Sequence, residues 1–595
     1  MKLLNNINRR IAPVTIFLLL QAWFAAFALS NIGSFSSSGI LSFLLFVMLL
    51  LCFYQIQELC ANQVLPNGFF PATGLLSLLF TAFYVGAEHG TLTGSFDSGL
   101  FRLIYLVFTA AGLYFLFRNG VRLLMVLFSK ISRRVKPCPL SVRMRILIFA
   151  GLLLCWLPWF LYNYPGVMTP DSISQFSQAT GLKGYSSHHP PMHTLLIQLC
   201  YTVGYGLTKN VNAGIACYTI VQMLLLAGTE SFCLSLLAKQ GIPRFLLITW
   251  FCFWGLVPYN GIFAVTMWKD ILFAAFMLLY AMQLFMLLKT PSLSFKKDRK
   301  LLLGLFFSGW LVCMFRSNGL YVFLFQLPFV LFICRKNLRL MGTVQIAILL
   351  LALLVKGPVC SALNVEEPHF TETLSIPLQQ VARVVTAQRD LTEEQTDLIN
   401  QAADITRIPD YYNPVISDPI KALVVYNGAD YMESHMGDYF QLWLRLGLTY
   451  PGDYLEAFID QTKGYWFPAP ATLRTNEGIS PNEIGLEWPK ILRGMLPVKI
   501  SEILLKLPDL LPVYGILWSI GAFTWAALFL MVFHFLYGDR KYLVLYLPFV
   551  GVILTLLLAT PVASDIRYAY ALILGMPFLL SVTIHSAAGG TQLTE

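Results

Sequence analysis

Charged residues are scarce in this chain: 12% of its 595 residues are Asp, Glu, Lys or Arg, whereas 57% are hydrophobic and 14% are aromatic. This composition excludes a soluble globular protein, because apolar runs of about 20 residues recur along most of the sequence. The sequence also lacks a P-loop, a dinucleotide-binding fingerprint, an internal repeat and a low-complexity tract. We therefore predict an all-α polytopic membrane protein.

Cysteine is nearly absent from the one long polar segment, residues 359–510. Of the 11 cysteines, only Cys360 lies in or near it, so no disulfide framework is predicted there. No Cys/His spacing indicates structural zinc. The sequence predicts no cofactor, and nothing in it indicates a divalent metal.

The charges that are present are unevenly distributed. Residues 359–510 hold 21 Asp/Glu and 11 Lys/Arg, whereas the rest of the chain holds 10 acids and 30 bases. The net charge of +10 is therefore not a nucleic-acid signature. Most of the basic excess lies in short loops between apolar helices, where Lys and Arg favour the cytoplasmic side.

Those loops give one consistent topology. Reading residues 192–207 as a shallow juxtamembrane helix keeps every basic cluster inside, whereas reading them as a span does not. The N-terminal apolar helix lacks a signal-peptide cleavage site and is read as an uncleaved anchor. This topology predicts 14 spans, at about 13–29, 40–58, 72–88, 99–117, 146–162, 213–238, 245–258, 266–288, 301–315, 320–334, 342–356, 512–537, 543–559 and 566–582.

These spans divide the chain into four predicted regions. Residues 1–142 form a four-helix membrane extension with a basic cytoplasmic linker, 143–358 a membrane module, 359–510 an extracytoplasmic domain and 511–595 the last membrane helices. Proline and glycine interrupt the external domain, so helices and loops are predicted there. Thr392 is expected to cap a helix that has two glutamates in its first turn.

Asp171 lies in a polar segment directly after the fifth predicted span. Placing a carboxylate near the bilayer costs free energy, so Asp171 is expected to have a structural or functional role. One reading is structural: Thr169-Pro170-Asp171-Ser172 starts a short helix. The other makes Asp171 a general base that takes a proton from an acceptor hydroxyl. The two readings are compatible.

Three histidines follow in the same segment: His188, His189 and His193. A metal site is poorly supported, because adjacent His side chains diverge and no carboxylate spacing accompanies them. Donation of hydrogen bonds to a phosphate or a sugar hydroxyl fits them better. The structural alternative is interfacial histidine satisfied by water.

Other charged residues lie at predicted outer helix ends. Lys269 and Asp270 open a helix, where the helix dipole alone would favour Asp270. Arginine is suited to binding phosphate through paired hydrogen bonds, and Arg316, Arg383 and Arg567 are the candidates, with Arg316 the first choice and Arg383 the second. Glu230 lies deep in a predicted span, where a packed, hydrogen-bonded role is expected.

Together these residues resemble a known family. Asp171 after a membrane helix, the His189-Pro190-Pro191 element before a juxtamembrane helix, and Lys269-Asp270 resemble the GT-C superfamily of membrane glycosyltransferases. The likeness is closest to protein O-mannosyltransferases and bacterial lipid A aminoarabinose transferases. The segments PGVMTPDS, SSHHPPMH, VTMWKD, RSNGLY, IPLQQVARVV and DIRYAYAL also resemble a large bacterial family of GT-C-like proteins of poorly defined substrate.

The resemblance, which covers about residues 143–581, implies an inverting transfer on the outer face of a bacterial cell membrane. The donor would be a sugar on a polyprenyl phosphate and the acceptor a cell-envelope glycan, lipid or protein. Asp171 would be the base and Asp270 a second catalytic carboxylate. The phosphate would be bound from among His188, His189, His193, Lys269, Arg316, Arg383 and Arg567.

The chain also departs from these families. It lacks the WWDYG element of oligosaccharyltransferases, which argues against glycosylation of asparagine, and four additional helices precede the family-like region. A transporter or flippase of lipid-linked glycan precursors is the alternative function. Transporters typically show repeated halves and ionisable residues at the membrane midplane, whereas the charges here cluster at predicted outer helix ends.

Overall fold

A computed structural model describes residues 2–33, 36, 39–93, 98–131, 136–471, 475–492 and 495–590. Over these ranges the chain is helical, and β-structure is limited to isolated bridges. The predicted all-α membrane class is confirmed. Among the described residues, nine helices are long and apolar enough to cross a membrane, or ten if one bent pair counts as a single span. The predicted count of 14 spans is not confirmed.

The chain forms two compact units. The first comprises residues 1–134, 528–540 and 583–595, so two C-terminal segments belong to it together with the N-terminal helices. Its first four helices are Lys2–Ile32, Ile40–Ala61, Phe69–Leu92 and Gly99–Ile131. Gly112 lets the fourth helix approach the backbone of the first at Phe24, where a side chain would collide with the Phe24 carbonyl.

The second unit comprises residues 135–527 and 541–582. Its N-terminal helices are Val142–Asn163, Pro170–Ala179, Pro191–Thr208, Val211–Lys239, Arg244–Leu256, Pro258–Ala264, Lys269–Leu288, Phe295–Phe315, Gly319–Ile333, Leu338–Leu354 and Cys360–Ala362, with a 3-10 turn at Arg335–Asn337 and a π-helical turn at Val355–Val359.

The C-terminal helices are Pro512–Ile516, Ile520–Tyr537, Leu547–Ala559 and Tyr570–Gly590, with 3-10 turns at Arg540–Leu545 and Ile566–Ala569. The second and fourth of these continue into the first unit.

Burial distinguishes central helices from peripheral ones in the second unit. In Lys269–Leu288, 78% of the apolar window is buried, and in Val211–Lys239 67%, against 11% in Val142–Asn163. A helix that is apolar all round and buried all round lies in the middle of a bundle. Lys269 and Asp270 therefore begin a central helix.

Two predicted spans are interrupted. The span at 245–258 ends at Leu256, and a second helix, Pro258–Ala264, continues at an angle of 59°, because the residue before a proline disfavours helical geometry. The span at 512–537 breaks before Ile520, where the Ser519 hydroxyl accepts a hydrogen bond from the Ala522 amide (3.1 Å) and starts a new helix. Helix Pro191–Thr208 is not among the candidate spans.

The described part of residues 359–510, the predicted extracytoplasmic domain, is mainly helical, as predicted. Its helices are Ser375–Thr386, Glu393–Ala402, Ile408–Tyr411, Asp418–Asn427, Ala429–Ser434, Met436–Thr449, Pro451–Thr462 and Met495–Leu510, with 3-10 turns at Phe370–Leu374 and Lys463–Tyr465. The first seven surround an apolar core that includes Val384 and Leu446. Thr392 caps its helix as predicted, in a reciprocal capping box with Gln395.

Candidate functional site

The segment before Asp171 is held in place by backbone hydrogen bonds on both sides. The Val167 amide donates to the Val265 carbonyl (2.8 Å), and the Met168 amide donates to the Gly478 carbonyl (2.9 Å). Gly166 precedes them with φ +152°, and a side chain there would collide with Thr219. Three distant parts of the chain thus fix the position from which the Asp171 helix starts.

Helix Pro170–Ala179 begins where the sequence predicted. Thr169 is its N-cap residue, and the Ser172 hydroxyl accepts a hydrogen bond from the Thr169 amide (3.2 Å). The same hydroxyl donates to the Met267 carbonyl (2.7 Å), which ties the helix start to the segment just before Lys269. Asp171 lies in the first turn, but its side chain does not cap the helix, so its carboxylate is available for other contacts.

The Asp171 carboxylate forms an ion pair with Arg567. Arg567 Nη1 lies 2.8 Å from Asp171 Oδ2, and Arg567 Nε lies 2.9 Å from Asp565 Oδ2. One guanidinium therefore bridges two carboxylates, as its planar fork allows. The Asp565 side chain is 9% exposed and that of Asp171 39% exposed, so Asp171 is the one of the two that a substrate can reach.

Two aromatic rings lie against the Arg567 guanidinium. Its carbon lies 4.9 Å from the Trp268 ring centroid and 4.7 Å from that of Tyr568, and Nη2 donates to the Tyr568 hydroxyl (2.9 Å). Trp268 in turn donates to the Thr169 hydroxyl (2.8 Å). The guanidinium is therefore fixed by contacts that do not depend on Asp171.

Lys269 lies against His189. Its ammonium is 2.9 Å from His189 Nδ1. Because a lysine ammonium only donates, Nδ1 is the acceptor and the ring proton is on Nε2. An ammonium has three donors, and this is its one hydrogen bond among the described residues. The remaining Lys269 donors and the His189 Nε2–H are thus available to an anionic ligand.

Asp270 and Arg316 form a second, more deeply buried pair. Arg316 Nε lies 3.1 Å from Asp270 Oδ1, and Arg316 Nη1 donates to the Tyr568 carbonyl (2.7 Å). Neither oxygen of Asp270 accepts a hydrogen bond of normal geometry from the described residues. Arg316 is thus directed inward and supports the loop that carries Arg567. These side chains form one group, called the Asp171 cluster below. It contains three basic residues, Lys269, Arg316 and Arg567, and three acidic residues, Asp171, Asp270 and Asp565.

Electrostatics hold Asp171 ionised. Burial by itself would raise the pKa of Asp171, but the positive charges of Arg567 and Lys269 together lower it to about 2. Burial and the Lys269 charge lower the pKa of His189 to about 2, so its ring is neutral. Above pH 2 the site therefore presents a carboxylate and a neutral imidazole.

The three histidines differ in position. His189 is buried at the cluster, and His188 is exposed beside it. His193 is fully buried, and its ring nitrogens lie 2.9 Å from Gln175 Oε1 and 2.6 Å from Tyr218 Oη. Both nitrogens of His193 are therefore used inside the protein, and it has no donor left for a phosphate.

A structural role for His193 has a measurable consequence. We expect His193→Ala to lower the midpoint of thermal unfolding, because it removes the partner of the buried Gln175 side-chain oxygen and one of the two partners of the buried Tyr218 hydroxyl, at a cost of about 1–3 kcal/mol. His188→Ala is the matched control and should leave the midpoint unchanged. Equal midpoints for the two variants would contradict this role.

Two other predicted residues lie outside the cluster. Arg383 is in helix Ser375–Thr386, within the predicted extracytoplasmic domain, where it pairs with Glu456. Glu230 is fully buried in helix Val211–Lys239, and its oxygens have no hydrogen-bond partner among the described residues. The hydrogen-bonded role expected for Glu230 is therefore wrong. In the described parts of the chain, no group of three His, Cys, Asp or Glu is placed to hold a metal ion.

The structure adds residues that sequence reasoning did not assign to the site: Asp565, Trp268 and Tyr568. Each lies within two positions of a residue that was assigned, in the segments VTMWKD and DIRYAYAL. An acid in an otherwise apolar stretch was the available signal for Asp565. The aromatic residues carried none, because 14% of the chain is aromatic.

Comparison with known proteins gives one match. No curated protein and no solved structure matches the chain. A family model matches residues 180–592, more than two thirds of the chain, and this range includes His189, Lys269, Arg316 and Arg567 but begins after Asp171. The chain therefore belongs to the family described as "Family of unknown function (DUF6020)".

Proposed function

We propose that this protein is an inverting glycosyltransferase that moves a sugar from a polyprenyl-phosphate donor to a cell-envelope acceptor. The observation that carries the proposal is the combination, at the ends of membrane helices, of an accessible ionised carboxylate with a cationic donor and a neutral donor that have unused hydrogen-bonding capacity. Asp171 supplies the carboxylate. Lys269 and His189 supply the donors. An amphiphilic donor with an anionic head group fits such a place.

The reaction balances with these groups alone. An acceptor hydroxyl attacks the anomeric carbon, its proton passes to an oxygen of Asp171, and the bond between that carbon and the phosphate oxygen breaks. The bonding electrons leave with the lipid phosphate. Lys269, the His189 Nε2–H and Arg567 stabilise the charge that develops there, and fixed donors of this kind are the main source of catalysis in many enzymes.

Arg567 has a further part in this proposal. While it pairs with Asp171, it keeps that carboxylate ionised but makes it a weak base. A donor phosphate bound nearby competes for the same guanidinium, and Asp171 becomes more basic as the contact weakens. Donor binding thus makes Asp171 a stronger base, while the ion pair with Asp565 keeps Arg567 in place.

This coupling predicts a pH dependence. Burial raises the pKa of Asp565 to about 6 against the opposing effect of Arg567, with Asp270 also facing it. When the pH falls through this value, Asp565 takes up a proton and no longer competes for Arg567. Arg567 then pairs more strongly with Asp171, which stays ionised but becomes a weaker base. We expect the rate of transfer to fall below about pH 6, and we expect this acid limb of the pH–rate profile to disappear in Asp565→Asn. A limb that persists unchanged in Asp565→Asn would contradict the coupling.

The proposal places the cluster on the extracytoplasmic face of a bacterial cell membrane. The basic segment Lys296-Lys297-Asp298-Arg299-Lys300 begins helix Phe295–Phe315, whereas Arg316 follows its other end, and basic residues favour the cytoplasmic side. In intact cells, single cysteines at Leu182 and Lys183, which are exposed in the segment after the Asp171 helix, should react with an impermeant maleimide, and one at Lys297 should not. Labelling of all three from one side would contradict this orientation.

The function itself is tested with purified protein in liposomes. A polyprenyl-phosphate sugar labelled in the sugar is supplied together with envelope extract as the source of acceptor. A glycosyltransferase releases polyprenyl phosphate and moves the label to another molecule. A flippase leaves the donor intact and changes only the leaflet in which it lies, and that outcome would overturn the proposal.

A further inference from the structure

The first compact unit contains two arginines that have no acidic partner among the described residues. Arg118 and Arg122 lie one turn apart in helix Gly99–Ile131 and therefore on the same face. The charged or titratable groups near Arg122 are Arg118, Cys60 and Tyr114, and none is a carboxylate. Two like charges placed side by side repel each other, so this arrangement favours an anion between them.

The arginine side chains are held by neutral groups. Arg118 Nη2 donates to the Gln21 side-chain oxygen (2.6 Å), and the Arg118 guanidinium carbon lies 5.1 Å from the Phe115 ring centroid. The Arg122 guanidinium carbon lies 4.9 Å from the Phe70 ring centroid. These contacts orient both guanidinium groups without neutralising either charge.

Each arginine also has a buried donor without a partner. The Nε atoms of Arg118 and Arg122 are inaccessible to solvent and make no hydrogen bond with the described residues. Buried polar groups are normally satisfied, and Nε together with one Nη is the edge through which arginine binds a phosphate by two hydrogen bonds. The Nε edges of both arginines are therefore suited to bind an oxygen-bearing anion such as a phosphate.

The surroundings of the pair indicate a lipid. Cys60 is near the C-terminal end of helix Ile40–Ala61, and Phe70 is the second residue of helix Phe69–Leu92, so the arginines lie level with helix ends. Both of those helices are candidate membrane spans. Head groups lie at that level, and the Phe70 ring, which contacts Arg122, is 52% exposed, so an acyl chain can pack against it.

We infer that Arg118 and Arg122 form a binding site for the phosphate of an anionic membrane lipid. The site is separate from the Asp171 cluster and does not depend on the proposed transfer reaction. Basic sites between transmembrane helices are known to bind anionic head groups. Such a site gives the four N-terminal helices a role of their own, that of attaching a specific lipid to the protein.

The test is lipid-dependent stability of the full-length protein in detergent. The midpoint of thermal unfolding is measured against phosphatidylglycerol, phosphatidylcholine and inorganic phosphate, for the wild type, for Arg118→Gln/Arg122→Gln and for Lys130→Gln. Lys130 lies on the same helix and is exposed, so it controls for the loss of positive charge. We expect phosphatidylglycerol alone to raise the midpoint of the wild type and of Lys130→Gln. The double variant should need about tenfold more of it.

Two results would overturn the inference. One is an equal response of the double variant and the wild type to phosphatidylglycerol. The other is full protection by inorganic phosphate at the same concentration, which would make this a site for free anions. If the double variant does not fold, Arg122→Lys replaces it, and native mass spectrometry counts bound phosphatidylglycerol. Arg122→Lys keeps the charge and loses the fork, so it should retain less lipid than the wild type, and equal retention would overturn the inference.

Discussion

Replacing Asp171 by asparagine is expected to lower the rate of sugar transfer by about 10²–10⁴-fold, the usual contribution of a general base. The amide cannot accept the proton that the acceptor hydroxyl loses. It still occupies the same volume in the first turn of helix Pro170–Ala179, whose cap is made by Thr169 and Ser172. The fold and donor binding should therefore be retained, and the loss should appear in turnover.

The matched control is Asp430→Asn, which makes the same chemical change at an exposed position in the external domain. It should transfer sugar at the wild-type rate. Donor affinity is measured separately, by equilibrium binding of a polyprenyl-phosphate sugar to purified protein. Near-normal turnover of Asp171→Asn would reduce Asp171 to a structural residue of the helix start.

Replacing Arg567 by lysine is expected to lower transfer by about 10²–10³-fold, the range seen when one fixed donor is removed from a developing anion. Lysine keeps the positive charge but not the planar fork, so it cannot reach Asp171, Asp565 and the Tyr568 hydroxyl together. Donor affinity should fall as well, because the proposal has the phosphate compete for this guanidinium.

Arg383→Lys is the control for Arg567→Lys, since Arg383 also pairs with a carboxylate but lies in the external domain. It should leave both turnover and donor affinity close to the wild type. A loss of activity in Arg383→Lys equal to that in Arg567→Lys would show that the effect is not specific to the Asp171 cluster. Circular dichroism of both variants checks that the helices are retained.

Much of the site was predictable because charge is rare in this chain. Asp171, Lys269, Asp270 and Arg567 each stand out at the end of an apolar helix, and positive-inside bias placed those ends on one predicted side. The sequence also predicted where two helices begin, because Thr169 and Thr392 cap helices at the expected positions. These features depend on local sequence, which is why a single chain reveals them.

Pairing between the helix ends was not predictable. The sequence argument preferred Arg316 over Arg567 as the phosphate ligand, yet Arg316 points inward to Asp270. Arg567 contacts Asp171 across 396 positions of sequence, and that contact depends on how the membrane helices pack. Apolar helices pack through shape, and hydrophobicity alone does not record which faces meet.

The histidines show the same limit at short range. His188, His189 and His193 lie within six positions of one another, but one is exposed, one is at the cluster and one is fully buried between Gln175 and Tyr218. The proline-induced start of helix Pro191–Thr208 determines their directions. Composition could indicate that the segment was polar, whereas the separate roles required the three-dimensional arrangement.

The most direct test of the proposed site is a structure of Asp171→Asn with a bound polyprenyl-phosphate sugar. The substitution should preserve donor binding while slowing its consumption. We expect the donor phosphate within hydrogen-bond distance of Lys269 Nζ and the Arg567 guanidinium, with the anomeric carbon facing residue 171. A donor whose phosphate contacts neither Lys269 nor Arg567 would contradict the assignment of this cluster as the transfer site.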